Sequence, residues 1–176
     1  MIRFFLFLAV SLVLTSCWPS SVSFKDTGSM PISWQKFSVT TLENQAPNAT
    51  LSYPATLTED LKTGIQNNTR LKLESNKDSA QVQIEGSVIG YNVSPAAIQQ
   101  GENAAKSRLT ISVKFSIFIN VPPKEGEILE DEMMLTATRF ADFPANQDLS
   151  SVETNLIEEI NKQIVQDVIN KLMSNW

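Results

Sequence analysis

Histidine is absent from the 176-residue sequence, and cysteine occurs once. Without imidazole there is neither a triad base nor a histidine-bearing metal site, and a lone thiol cannot close an intrachain disulfide. The six glycines are scattered, so no glycine-rich loop cradles a phosphate. Basic charge is also short: 14 Lys and Arg stand against 19 Asp and Glu, a net charge of −5, with no polybasic tract. That balance argues against nucleic acid as a partner, and against an anionic membrane gripped by charge alone. Carboxylates remain. Glu125, Glu127, Glu130, Asp131 and Glu132 crowd one segment, open to a calcium ion or an acid–base pair, although a solvated charge run at a turn is the commoner arrangement. The expectation is a chain without catalytic residues, metal or cofactor.

The first residues set the compartment. Met1-Ile2-Arg3 is a short basic start and Phe4 to Leu14 an apolar run of eleven residues, too short to span a bilayer but within the roughly 7–15 residues of a secretory signal core. After it, no apolar stretch approaches the about 18 residues that a membrane-spanning helix needs. Leu14-Thr15-Ser16-Cys17 resembles the lipobox of bacterial lipoproteins. The resemblance implies cleavage between Ser16 and Cys17, a diacylglycerol on the Cys17 thiol and an acyl group on the new amino terminus. An ordinary secreted protein with one spare thiol is the competing reading, but a cysteine at the end of the apolar run accounts for itself. Several chains of acyl methylenes, at about 0.8 kcal/mol each, anchor stably where one chain is marginal.

Cleavage removes Arg3, leaving 160 residues with 13 basic and 19 acidic side chains, a net charge near −6. That length suits one domain with its own core. Residues 17–30, rich in serine with Pro19 and Gly28, form a flexible tether, and residues 31–176 form the domain. Trp18-Pro19-Ser20-Ser21 carries no acid behind the cysteine. Neither a surface-export signal nor an inner-membrane retention aspartate is present, which favours the periplasmic side of the outer membrane.

Within the domain, Trp34, Phe37 and Val39 mark a β-prone segment. Pro54 suits a helix start, with Glu59 and Asp60 in the early turns, an apolar stripe of Leu57, Leu61 and Ile65, and Asn67-Asn68 closing it. Leu71 and Leu73 form a short extended piece. Residues 80–93 alternate, but the phase changes between Ile84 and Ile89 beside Gly86 and Gly90, which predicts a bulge. The strongest pattern is Leu109, Ile111, Val113, Phe115, Ile117 and Ile119, all on odd positions, with Arg108, Thr110, Ser112, Lys114 and Ser116 between them. A sustained period of two means one buried and one wet face. Residues 121–126 form a turn, and residues 128–140 return with Met133, Leu135 and Ala137 on odd positions, completing an antiparallel hairpin. Ser150-Ser151-Val152-Glu153 fits a capping box. Beyond it Val152, Leu156, Ile160, Ile164, Val168 and Leu172 lie four apart, widened by Ile157, Val165, Ile169 and Met173. The predicted architecture is α+β, a two-layer α/β sandwich with two helices on one face of a mostly antiparallel sheet of about four strands.

Three places are candidates for contact. Lys106, Arg108 and Lys114 share the polar face of the strongest strand with hydroxyls, a patch suited to phosphate or sugar on an anionic glycolipid; a solvated sheet face is the competing reading. Arg139, Asp142 and Phe143 stand where sheet passes to helix and suit a contact with a partner, unless Phe140 and Phe143 belong to the core. The segment from Ser94 to Asn103 is the third.

Taken in order, the lipobox, Ile89-Gly90-Tyr91-Asn92-Val93, Pro95 and Ala97-Ile98, Asn103-Ala104-Ala105, Arg108-Leu109-Thr110-Ile111, Arg139-Phe140-Ala141-Asp142-Phe143, Leu149-Ser150-Ser151-Val152-Glu153 and Ser174-Asn175-Trp176 together resemble the LptE family as found in Bacteroidetes-type bacteria. The resemblance runs over most of the mature chain. It implies an outer-membrane lipoprotein that plugs the lumen of the LptD β-barrel, assists its folding and so takes part in lipopolysaccharide insertion into the outer leaflet. The implied fold is the same sandwich. The alternative function class is a periplasm-facing binding module, an accessory subunit of another envelope lipid-trafficking system.

Overall fold

The computed structural model describes residues 30–96, 106–121 and 132–174. The described elements are β1 (Lys36–Val39), β2 (Glu43–Asn44), α1 (Tyr53–Asn68), β3 (Lys72–Leu73), a 3-10 turn (Lys77–Ser79), β4 (Val82–Ala96), β5 (Lys106–Ile119), β6 (Glu132–Pro144) and α2 (Leu149–Met173). Residues 1–29, 97–105, 122–131 and 175–176 lie outside them. The signal, Cys17, nearly all of the tether, the turn after Val121 and the acidic residues Glu125 to Asp131 therefore fall outside the described residues, as does most of the Ser94–Asn103 segment.

The sandwich is as expected: α1 and α2 pack on each other, α1 on β1 and α2 on β6. The sheet is larger than the four strands expected and is mixed. Six strands run in the order β3-β1-β4-β5-β6, with β2 also against β4. The β4-β5-β6 meander is antiparallel, whereas β1 pairs in parallel with β3 and β4, and β2 in parallel with β4. The extra strands are two residues each, too short to leave a period in the sequence. They exist because α1 carries the chain over from β1 and returns it parallel.

Strand β5 is buried on its odd positions, Leu109 through Phe115 and Ile117 being fully covered. Each such side chain contributes about 1.5–3 kcal/mol relative to an exposed one. The phase change in β4 is a bulge: the register with β5 shifts between Val88 and Gly90, so Val82, Ile84 and Val88 point inward before it and Tyr91 after it. Gly86 lies opposite Phe115, and a Cβ there would stand 2.6 Å from the Lys114 carbonyl oxygen, which explains glycine at that strand position.

Helix α1 begins beside Pro54, but Glu59 and Asp60 lie beyond its first turn, which contains no acid. It ends at Asn68, as expected, with Asn68 Nδ2 donating to the Gly64 carbonyl, and Thr69 caps it. Thr69 is extended, its hydroxyl and its backbone N–H both donate to the Ile65 carbonyl, and the Thr69 Oγ1 accepts from Leu71 N–H. The capping box expected at Ser150 does not form. Asp148 is the N-cap of α2, without a side-chain cap bond, and Glu153 instead accepts from the Tyr91 hydroxyl. At the start of the domain Met30 is buried. The core therefore begins one residue inside the expected tether, and Arg70 holds that entry by donating to the Met30 and Pro31 carbonyls.

Candidate functional site

Both helices cover one face of the sheet, so the even positions of β5 and β6 form an uncovered face. Along β5 it presents Lys106, Arg108, Thr110, Ser112, Lys114 and Ser116; along β6 it presents Glu132, Met134, Thr136, Thr138, Phe140 and Asp142. Arg108 stands directly across from Asp142 in the ladder. The pair is bidentate, with Nε 2.6 Å from Oδ1 and Nη2 2.9 Å from Oδ2. The Arg108 guanidinium also lies 3.7 Å from the centre of the Phe140 ring, a cation–π contact. Hydrogen bonding from Arg108 holds the Asp142 carboxyl below its ordinary range, and the same bond raises Arg108. Further along, the Ser112 and Thr138 hydroxyls meet at 3.0 Å.

Lys106, Arg108 and Lys114 therefore share a face but not a cluster. From Lys106 to Lys114 is eight residues of strand, about 26 Å, and Arg108 is already committed to Asp142 and Phe140. Lys114 sits apart from them in a shallow groove of about 280 Å³ with Thr40, Thr41, Glu85, Ser116 and Phe118. Met134 and Phe140 are the large apolar side chains that β6 exposes, at 57 % and 46 %.

The other two sequence candidates lie on the opposite side. Arg139 points toward the helices and grips α2, its Nε donating to Asp167 Oδ2 at 2.7 Å and its Nη2 to Oδ1. Phe143 is 5 % exposed and belongs to the core; it is no contact residue in this conformation, because odd positions of β6 face the helices. Of the third candidate, Ser94 to Ala96 continue β4 rather than starting a loop.

Beneath the helices lies a buried polar chain that sequence reasoning missed. The Tyr53 hydroxyl donates to Asn161 Oδ1 at 2.9 Å, and Asn161 Nδ2 donates to Asp60 Oδ2 at 2.7 Å. The Tyr53 and Tyr91 rings meet edge to face, 5.7 Å apart, and Tyr91 donates to Glu153. Burial raises both phenols, with the Tyr91 ring and Asp60 adding to it at Tyr53, and the Glu153 hydrogen bond at Tyr91. The signal was present: Asn161 occupies the four-residue row of Ile157, Val165 and Ile169, where an amide is out of place unless paired. These phenols stay protonated and fully used in tying α1, β4 and α2 together.

Among the described residues no group of three or more His, Cys, Asp or Glu is placed to hold a metal ion, and no helix is long and apolar enough to cross a membrane. What the arrangement offers is surface: a hydroxyl-rich sheet face with paired charge and, on β6, two exposed apolar side chains.

Comparison with known proteins agrees with this architecture. The family described as LptE, lipopolysaccharide-assembly, matches residues 34–172. No curated protein sequence matches the chain. Among solved structures the fold is shared with a hypothetical protein from Chlamydia trachomatis, at TM-score 0.53 and 9% identity over 81% of this chain and 99% of that one. It is also shared with a protein from Xanthomonas campestris, at TM-score 0.50 and 8% identity over 87% and 91%. An uncharacterized lipoprotein B from Nitrosomonas europaea is similar at TM-score 0.49 and 18% identity over 87% and 92%.

Proposed function

Since the chain belongs to the LptE lipopolysaccharide-assembly family, we propose that it is a lipid-anchored outer-membrane subunit that sits in the lumen of an LptD-like β-barrel, assists the folding of that barrel and thereby serves lipopolysaccharide insertion. The observation that carries this reading is the extent of the family match, from Trp34 before β1 to Leu172 near the end of α2, which is the whole sandwich rather than one motif. The uncovered sheet face supports it, since a plug needs a broad polar surface that tolerates contact on all sides. The lipobox at residues 14–17 supports an anchor on Cys17 carrying diacylglycerol and an N-acyl chain. The lack of an acid in Trp18-Pro19-Ser20-Ser21, directly behind Cys17, supports the periplasmic side of the outer membrane. Lys106, Arg108 and Lys114 are proposed glycolipid contacts, with Lys114 the strongest of them because Arg108 would have to exchange Asp142 for a phosphate.

Co-purification tests the reading. Full-length protein extracted in mild detergent is expected to bring down a large outer-membrane β-barrel in near-equal amount; recovery without one overturns the plug and leaves the accessory-subunit alternative. Labelling with a radioactive fatty acid tests the anchor separately. Label is expected on the wild type and lost in Cys17→Ser, and label retained by that variant would refute lipidation at Cys17.

A further inference from the structure

The two edges of the sheet are built differently. One ends in β3, two residues long. The other is β6, thirteen residues in unbroken antiparallel register with β5 from Glu132↔Phe118 to Pro144↔Lys106, and among the described residues nothing pairs its outer side. A long edge strand leaves a row of N–H and C=O groups unpaired, and proteins ordinarily blunt such edges with lysine, proline, bulges or shortness. Between Met133 and Phe143 this strand has none of these; its one cation, Arg139, is bound to Asp167. Beside the edge runs a groove of about 500 Å³ whose one wall is five consecutive β6 residues, Leu135 to Arg139, and whose other wall is α2 at Asp167, Asn170, Lys171 and Ser174. A free strand edge flanked by a helix is the geometry of strand addition, in which backbone pairing supplies affinity and alternate side chains supply specificity.

We propose that the outer edge of β6 accepts one extended strand from a partner polypeptide, paired along β6 in the plane of the sheet, with one alternate set of side chains entering the groove beside α2 and the other, apolar, against Met134 and Phe140 on the uncovered face. A second copy of this chain fits poorly. Antiparallel pairing of two β6 edges would bring both α2 helices onto the same side over strands about 4.8 Å apart, whereas packed helices need about 8–10 Å. The described amino-terminal residues enter at the far edge, where Arg70 holds Met30 and Pro31. An isolated strand from another chain meets neither obstacle. The identity of that chain as the barrel rests on the proposed function; the strand-accepting edge does not.

The probe is a fluorescent synthetic peptide of residues 132–144. Paired antiparallel with its Ala137 opposite Ala137 of the protein, its methionine and phenylalanine fall beside Phe140 and Met134. Full-length lipoprotein in detergent is expected to bind it. Met134→Lys, an exposed position, should weaken binding tenfold or more with an unchanged melting temperature. N-methylation of one alternate set of peptide amides should abolish binding while methylation of the other set leaves it intact. Failure of the unmodified peptide to bind, or equal binding by both methylated forms, overturns the proposal. So does self-association of the wild type that Met134→Lys abolishes, which would make a second copy the occupant. Peptide binding without a co-purifying barrel would remove the proposed function and leave the edge standing; a barrel held equally by Met134→Lys, with no peptide binding, would do the reverse.

Discussion

The two faces of the β5-β6 hairpin are made from the same two strands but solve opposite problems. Toward the helices, β5 and β6 present side chains that are almost all apolar and almost all covered, with Ser107 and Arg139 the polar exceptions and Arg139 fastened to Asp167. Away from them, the same strands present hydroxyls, a cross-strand ion pair and two exposed apolar side chains. The difference teaches where stability resides and which face is left for the proposed recognition. The helix side carries the burial that holds the domain together without a disulfide, and the uncovered side is free to change without unfolding it.

The largest expected break of that contrast comes from the covered side. Phe115→Ala, at a fully buried position, should lower unfolding free energy by about 3–5 kcal/mol. Thr110→Ala, on the neighbouring but uncovered position, should stay within about 0.5 kcal/mol; urea denaturation of both measures the asymmetry. Next comes the polar chain under the helices. Asn161→Ala leaves the buried Tyr53 hydroxyl without its acceptor and should cost about 1–3 kcal/mol, while Tyr53→Phe with Asn161→Leu should recover part of it. Smaller again is the helix crossing. A Cβ on Gly64 would stand 2.3 Å from Val165 Cγ1. Gly64→Ala is therefore expected to destabilise by about 1–2 kcal/mol despite better helix propensity, and Val165→Ala in the same chain should relieve the clash.

The smallest effect belongs to the uncovered face. Because Arg108 depresses the folded-state pKa of Asp142, this carboxylate contributes stability that is present above its unfolded value, near 3.8, and is lost as pH falls through the folded one. Wild type should thus exceed Asp142→Asn slightly at neutral pH, with the gap closing below about pH 4. The pair is solvent-facing, so the gap is small. Melting curves from pH 3 to 7 check the sign, and a gap that widens in acid would contradict it.

How much of this was legible follows from the length of each signal. Strand β5 could be read residue by residue, because its alternation persists over six apolar positions. The bulge in β4 was visible as a phase slip beside glycine. Strand β2 was not, since two residues carry no period; the short extended piece at Leu71 and Leu73 is where β3 lies, but its parallel pairing depends on the crossover through α1. The capping box was misread because a local pattern, Ser150 with Glu153, loses to a tertiary partner, the buried hydroxyl of Tyr91. Arg139 and Phe143 were grouped with Asp142 by proximity in sequence, although carrying the odd-position rule of Met133 and Ala137 on to positions 139 and 143 would have put both on the helix side. Lys106, Arg108 and Lys114 were correctly placed on one face, but sequence does not show that Asp142 and Phe140 engage Arg108.

Adjacent methionines on opposite faces offer the most direct measurement. Met133 is 2 % exposed and Met134 57 %, so mild peroxide treatment followed by mass spectrometry reads the two faces side by side. In the free protein Met134 should oxidise rapidly and Met133 slowly. In a complex with the proposed barrel partner Met134 should become as protected as Met133. Unchanged oxidation of Met134 in that complex would contradict the claim that the uncovered face and its edge are where the protein engages its partner.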